Sequence, residues 1–331
     1  MNPFSYARAA DVAGAARELA AGGAVKLIAG GTNLLDLMKE NVERPRRLVD
    51  ISRLPLGHIE NTAAGGLRLG ALATNADTAY DEQVAKRYPL LARAILAGAS
   101  AQLRNMATNG GNLLQRTRCG YFYDTATPCN KRQPGAGCAA VSGVNRMHAV
   151  LGASDSCIAV HPSDMCVALA ALDAVVRVAS SNGERIIPFE EFHRLPGDTP
   201  DIDSNLRADE IITAVELPAQ GFPDHYAYLK VRDRKSYAFA LVSVAAALRL
   251  DGGTIAEARL ALGGVAHKPW RDRSAEAWLQ GKKASGENFH GVADLSLRAA
   301  RGYGGNDFKI VLARRAIVRA LSHAAHLGSR P

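Results

Sequence analysis

All five cysteines of the chain fall between Cys119 and Cys166, inside a stretch, 104–166, that shows no clear hydrophobic period. It opens with Arg104-Asn105-Met106-Ala107-Thr108-Asn109-Gly110-Gly111-Asn112 and closes with His161-Pro162-Ser163-Asp164-Met165-Cys166. A connection of that length in a compact chain is either functional or disordered. Clustered thiols favour function. The stretch is expected to hold one cofactor at its edge and a second within it.

The cysteine pattern is not that of a secreted disulfide framework, which favours short chains and even counts, whereas this chain has 331 residues and five cysteines. Reduced thiolates serving a metal, in a reducing compartment, fit better. The segment Met1-Asn2-Pro3-Phe4-Ser5-Tyr6-Ala7-Arg8 shows neither a basic, apolar-cored signal nor twin arginines. By its own sequence the chain is expected in the cytoplasm, with the periplasm reached only by co-export with a signal-bearing partner. No apolar run reaches the roughly 18–20 residues that span a bilayer. The net charge of +8 is spread along the chain without interleaved aromatics. It reads as a positively biased solvated surface, and nucleic-acid and membrane partners are not expected.

Periodicity predicts a helix from Asp11 as N-cap to Gly22-Gly23, a strand over 25–29, a helix over 34–39 and a strand over 47–51. Residues 1–54 thus read as a βαβ-type unit. Strands follow over 66–71, 174–179 and 211–217, with Ser181-Asn182-Gly183 as a hairpin turn. One long helix over 77–97, kinked near Pro89, precedes the cysteine stretch, and a helix starting at Pro162-Ser163-Asp164 follows it. From Tyr226 the pattern changes to three long strands, over 226–232, 239–250 and 258–263. An amphipathic helix over 308–323 comes near the end. The expected class is α+β, with units 1–54, 55–222 carrying an insertion at about 113–160, and 226–331, the last a three-stranded antiparallel sheet with helices.

Four places carry chemistry. Lys26-Leu27-Ile28-Ala29-Gly30-Gly31-Thr32-Asn33-Leu34 runs from strand through Gly-Gly into a helix, which offers backbone N–H groups to a pyrophosphate. It is neither G-x-G-x-x-G nor a Walker loop, so a plain β–turn–α connection competes. Thr108-Asn109-Gly110-Gly111-Asn112 offers a second such turn, or simply a tight bend. The cysteines, at intervals of 10, 9, 19 and 9 residues, lack C-x-x-C spacing. Arg116, Arg118, Lys131 and Arg132 flank them and would offset thiolate charge. Cys166, among apolar residues in the first turns of a helix, reads as a core residue. Lys230 is either a flavin neighbour or a solvated strand lysine. His148, His161 and His267 read as structural or surface residues, and no nucleophilic triad is visible.

Ala29-Gly30-Gly31-Thr32-Asn33-Leu34, Arg104-Asn105-x-Ala-Thr-x-Gly-Gly-Asn112 and Pro162-Ser163-Asp164, in that order, resemble the flavin-binding subunits of molybdenum hydroxylases, the xanthine dehydrogenase and carbon monoxide dehydrogenase group. Leu262-Gly263-Gly264-Val265-Ala266 and Pro269-Trp270-Arg271 resemble their C-terminal domain. The segments around Cys119, Cys129 and Cys138 are similar to the FAD subunit of heterotrimeric aldehyde oxidoreductases, which carries an extra [4Fe–4S] cluster. The resemblance implies a two-subdomain PCMH-type FAD-binding domain followed by a CO dehydrogenase flavoprotein C-terminal-like domain. It implies FAD contacts at Lys26 to Leu34, Thr108, Gly111, Asn112, Asp164, Ile212 and Lys230, and a [4Fe–4S] cluster on Cys119, Cys129, Cys138 and Cys157. Its partners would be a small [2Fe–2S] subunit and a large molybdenum-cofactor subunit, which would oxidise an aldehyde to a carboxylic acid. Catalytic side chains would be absent from this chain, and FAD would be its redox centre. Two other readings stay open: a 4-hydroxybenzoyl-CoA reductase-like subunit, and an assembly subunit with structural zinc.

Overall fold

The computed structural model describes residues 1–326. Residues 327–331 of the expected C-terminal unit lie outside that range. Three sheets follow one another along the chain. The first is parallel, with Arg47–Asp50 central between Ser5–Arg8 and Val25–Ile28. Asp11 caps the helix Val12–Ala20 by accepting from the Gly14 amide at 2.6 Å. The strand Ser5–Arg8 is an addition to the expected unit. It is an edge strand, almost wholly exposed, so no alternation marks it in the sequence.

The second sheet is antiparallel and five-stranded, in the order Ile59–Asn61, Leu67–Gly70, Ile211–Leu217, Val175–Ser180, Gly183–Pro188. The expected hairpin closes at Ser180 and Gly183, where the glycine takes φ +113°. The single long helix over 77–97 is corrected to three: Asn75–Tyr80, Glu82–Arg87 and Pro89–Ala97. Asp81, with an extended backbone, ends the first and caps the second by accepting from the Val84 amide at 3.0 Å. Pro89 then takes the first position of the third, where its missing N–H costs nothing.

The helix Asp164–Ala171 is buried on all sides. Ser163 caps it by accepting from the Cys166 amide at 3.0 Å. It packs in one core with Leu67, Val176 and Ala245 of the second and third sheets and with Tyr88 between two helices. An all-round apolar helix is a central one.

The expectation of three strands in the third sheet is corrected to four, ordered Trp270–Arg271, Thr254–Gly263, Val242–Asp251, Tyr226–Val231, all antiparallel. The added strand has two residues, too few to show a period. The helix Phe308–Ala324 covers this sheet and buries Ala313, Ala316, Ile317, Ala320 and Leu321 against it. Each buried Ile or Leu contributes about 1.5–3 kcal/mol. Among the described residues no helix is long and apolar enough to cross a membrane.

The insertion itself is divided between neighbours. Phe122, fully buried, packs with Cys129 and with Leu37 of the helix Leu34–Lys39. Further along, Val150 and Leu151 enter the core of the third sheet, and both amides donate to the Val265 carbonyl at 2.9 and 3.0 Å. The insertion is therefore ordered by two different parts of the chain.

Candidate functional site

Gly30 lies where no other residue fits: a Cβ there would stand 1.8 Å from the Met106 carbonyl oxygen. Gly31 takes φ +68°. The two glycines thus press the turn onto 104–107 and expose its backbone. Among the described residues, the amides of Gly30, Gly31, Thr32 and Asn33 donate to no acceptor of the chain. The Asn33 carboxamide accepts from the Arg116 amide at 2.9 Å, while its Nδ2 is buried without a partner. Orphaned donors of this kind suit an anion. Lys26 pairs with Glu43 at 3.4 Å on the half-exposed side of the strand. Leu27 and Ala29 pack beside the first core, and Ile28 accepts from the Ile51 amide at 3.0 Å. Leu34 begins the helix that follows.

Thr108 caps the short helix Asn109–Leu113 by accepting from the Gly111 amide at 3.2 Å. Asn112 is committed within the chain: it donates to Asn75 at 2.6 Å and accepts from Ser163 at 2.5 Å and Gln115 at 2.9 Å. This side chain therefore ties the second Gly-Gly turn to the start of the helix Asp164–Ala171.

Asp164 and Lys230, distant in sequence, meet. Lys230 Nζ donates to Asp164 at 2.7 Å and to the Ala97 carbonyl at 3.1 Å, with only 5% of its side chain exposed. The reading of Lys230 as a solvated strand lysine is thereby corrected: an alternating strand turned it into the molecule. Tyr228, two residues earlier on the same face, donates to the other Asp164 oxygen at 2.6 Å. Burial, with the Asp164 charge beside it, pushes the Tyr228 hydroxyl well above its usual pKa. Tyr228 was missed in the sequence, where the two-residue spacing Tyr226-Tyr228-Lys230 was the available signal. Ile212 is buried in the core of the second sheet, opposite Val178.

The cysteines converge. Cys119, Cys129, Cys138 and Cys157 line one small cavity of about 10 Å³. Cys129 and Cys138 face each other across an isolated antiparallel bridge. Asn130 accepts from the Gly137 amide at 2.7 Å and donates to the Ser156 carbonyl at 3.0 Å, drawing the Cys157 turn to that bridge. All five cysteines are free thiols. Burial pushes Cys119 up to about 11 and Cys157 up to about 12, and neighbouring thiols add to both. Among the described residues, only His161, Cys166 and His193 bring three ligand atoms within 4.8 Å of one another. Cys166 is fully buried in the central core, as expected.

The flanking cations behave differently from expectation. Arg116 bridges Glu43 and Asp203, each at 2.8 Å, and Arg118 reaches Tyr123 at 2.7 Å and Asp36 at 3.3 Å. Arg132 donates to the Tyr121 and Phe122 carbonyls at 2.8 Å. These three hold the loop in shape. Lys131 alone lines the cysteine cavity and acts on a thiol, drawing Cys157 down against its burial. Its ammonium is buried, pairs with Asp203 and donates to the Pro200 carbonyl at 2.7 Å.

A larger cleft of about 510 Å³ adjoins the cysteine cavity, with Thr117, Cys119 and Tyr121 common to both. Its far wall holds Ser163, Asp164 and Phe239. The two Gly-Gly turns do not line it; the second reaches it through Asn112–Ser163, and the first is tied by Asn33 to Arg116, next to the lining residue Thr117. His148 lies in its wall, with Nε2 3.1 Å from the Cys119 sulfur. His148 and His267 are buried, and the His161 ring stands 4.3 Å from that of His193, so the surface reading of these histidines does not hold.

Residues 2–220 match the family model described as the FAD binding domain in molybdopterin dehydrogenase, and residues 226–324 the CO dehydrogenase flavoprotein C-terminal domain. The aldehyde oxidoreductase FAD-binding subunit PaoB of Escherichia coli K12 is 52% identical over 98% of this chain and 99% of its own length. A putative xanthine dehydrogenase FAD-binding subunit, XdhB, of the same strain is 29% identical over 89% of this chain and 85% of its own. Among solved structures, quinoline 2-oxidoreductase from Pseudomonas putida 86 superposes with a TM-score of 0.75 at 27% identity, covering 98% of each chain. Carbon monoxide dehydrogenase from Hydrogenophaga pseudoflava superposes with a TM-score of 0.77 at 26% identity, covering 98% of this chain and 97% of that one.

Proposed function

Because this chain belongs to the FAD-binding subunits of the molybdenum hydroxylase family, we propose that it is the FAD- and [4Fe–4S]-carrying electron-transfer subunit of a molybdenum-containing aldehyde oxidoreductase. It would work with a small [2Fe–2S] subunit and a large molybdenum subunit, passing electrons by way of FAD to an external acceptor. The observation that carries the cluster is the convergence of four free thiols on one cavity.

Bound FAD supplies the redox chemistry. The chain's part is to hold it. The free amides of 30–33 and the buried Asn33 Nδ2 would take its pyrophosphate. Thr108 and Gly111 approach from the second turn, and Asn112 fixes that turn to the helix bearing Asp164. The Asp164–Lys230–Tyr228 group forms the far, buried end of the site, and Ile212 contributes from the core behind it. Folding and cluster loading belong in a reducing compartment, before any export carried by a partner.

Flavin and iron quantification on the purified chain tests this reading, with one flavin and about four irons expected. Cys129→Ser is expected to lose most of the iron, and Cys166→Ala to keep it. Absence of both cofactors from the wild-type chain would sink the proposal, and equal iron loss in the two variants would reject the ligand assignment.

A further inference from the structure

We infer that His148 is a positioning residue for the cluster, donating a hydrogen bond from Nε2 to the Cys119 sulfur and so raising the reduction potential of the iron–sulfur centre. The inference rests on the [4Fe–4S] reading above. Its basis is geometric. Nε2 lies 3.1 Å from the sulfur, with His148 buried and Cys119 half-buried. A metal-bound thiolate accepts hydrogen bonds and donates none, so the proton of this contact belongs to the imidazole. Nδ1 is then the ring's lone-pair nitrogen, and it is the buried atom left without a partner.

The ring is held from behind. Lys309 Nζ donates to the His148 carbonyl at 2.8 Å and to the Met147 carbonyl at 3.2 Å, and the His148 amide donates to the Asn145 carbonyl at 2.9 Å. Asn306 donates to the carbonyls of His148 and Ala149 at 3.3 and 2.9 Å. Five bonds to the backbone on either side fix where the imidazole points. Tyr121 packs near its face, with ring centroids 6.4 Å apart.

Placement gives the contact its role. Cys119 belongs to the walls of both the cysteine cavity and the larger cleft, and His148 stands on the cleft side. It therefore acts on the cluster corner that faces the cleft. Reduction adds one electron to the cluster and raises the charge on its sulfurs, so a donor at Cys119 stabilises the reduced state more than the oxidised one. Hydrogen bonds to sulfur are an established lever on such potentials. Without the N–H, the cluster becomes harder to reduce.

The test is a potentiometric titration of the assembled complex, following the electron paramagnetic resonance signal of the reduced cluster. His148→Phe and His148→Leu are expected to retain iron and shift the cluster midpoint to lower potential, while the flavin midpoint stays put. His148→Gln, which restores an N–H donor, is expected to recover part of the shift. A midpoint unchanged in an iron-replete Phe or Leu variant overturns the inference. Should both apolar variants lose iron, pulsed resonance on the wild-type complex grown with isotopically labelled histidine decides: a histidine nitrogen coupled to the reduced cluster supports the bond, and its absence overturns it. A wild-type complex without iron in this chain is a different failure, that of the cluster reading itself.

Discussion

Single residues in this chain are defined by what they face, and Asp203 shows it most sharply. Burial alone would push its carboxyl up, but Lys131 and Arg116 together hold it well below the usual carboxylate range. The unfolded carboxyl titrates near 3.9. A depressed folded pKa means that the unfolded state binds more protons in this window. The stabilisation is complete above about pH 4 and fades as pH falls towards the folded value. Asp203→Asn is expected to flatten the acid limb of the stability profile. It should also cost about 3 kcal/mol at neutral pH, since it leaves the buried Lys131 ammonium without its counter-charge. Urea unfolding at several pH values reads both effects; an acid limb as steep as the wild type's would refute the assignment. Lys131 was legible in the sequence only as a cation near thiols. Its partner, far along the chain in a region without periodicity, was not.

At the scale of elements, the short helix Leu34–Lys39 links the first Gly-Gly turn to the cysteine loop. Leu37 packs on Phe122, which in turn lies between Cys119 and Cys129. Phe122→Ala would open a cavity here at a cost of roughly 3–5 kcal/mol. Iron and flavin contents are both expected to fall; iron loss with full flavin retention would mean that the helix does not couple the two sites. Elements with strong local signals were readable: the capped helix after Asp11, the hairpin at Ser181-Asn182-Gly183 and the strand 211–217. The failures had local causes too. Asp81 and Pro89 act as helix starts inside what reads as one helical stretch, and the strands Ser5–Arg8 and Trp270–Arg271 owe their existence to neighbours instead of to their own pattern. Likewise, the Gly-Gly turns could be recognised, because glycine at φ +68° or beneath a carbonyl has no substitute. Tyr228 could not, since its role depends on which face of a strand meets Asp164.

For the molecule as a whole, the insertion is closed by residues that come much later in the chain. Asn145 donates to the Tyr303 carbonyl at 2.8 Å, the Arg301 amide donates to Val150 at 2.8 Å, and Lys309 is buried against Met147, His148 and Gly264. Synthesis runs from the other end. When Cys157, the last of the four clustered cysteines, leaves the ribosome, the residues that brace Asn145 to Val150 have not yet been made. The cage that would hold the proposed cluster is thus completed only in the finished polypeptide, and chains stalled before residue 300 are expected to carry flavin-site sequence but no stable cluster. Iron retained by such stalled chains would contradict this order. The same timing gives the proposed cluster a consequence for quality control: a truncated product is expected not to keep iron, so that only full-length protein would reach assembly loaded.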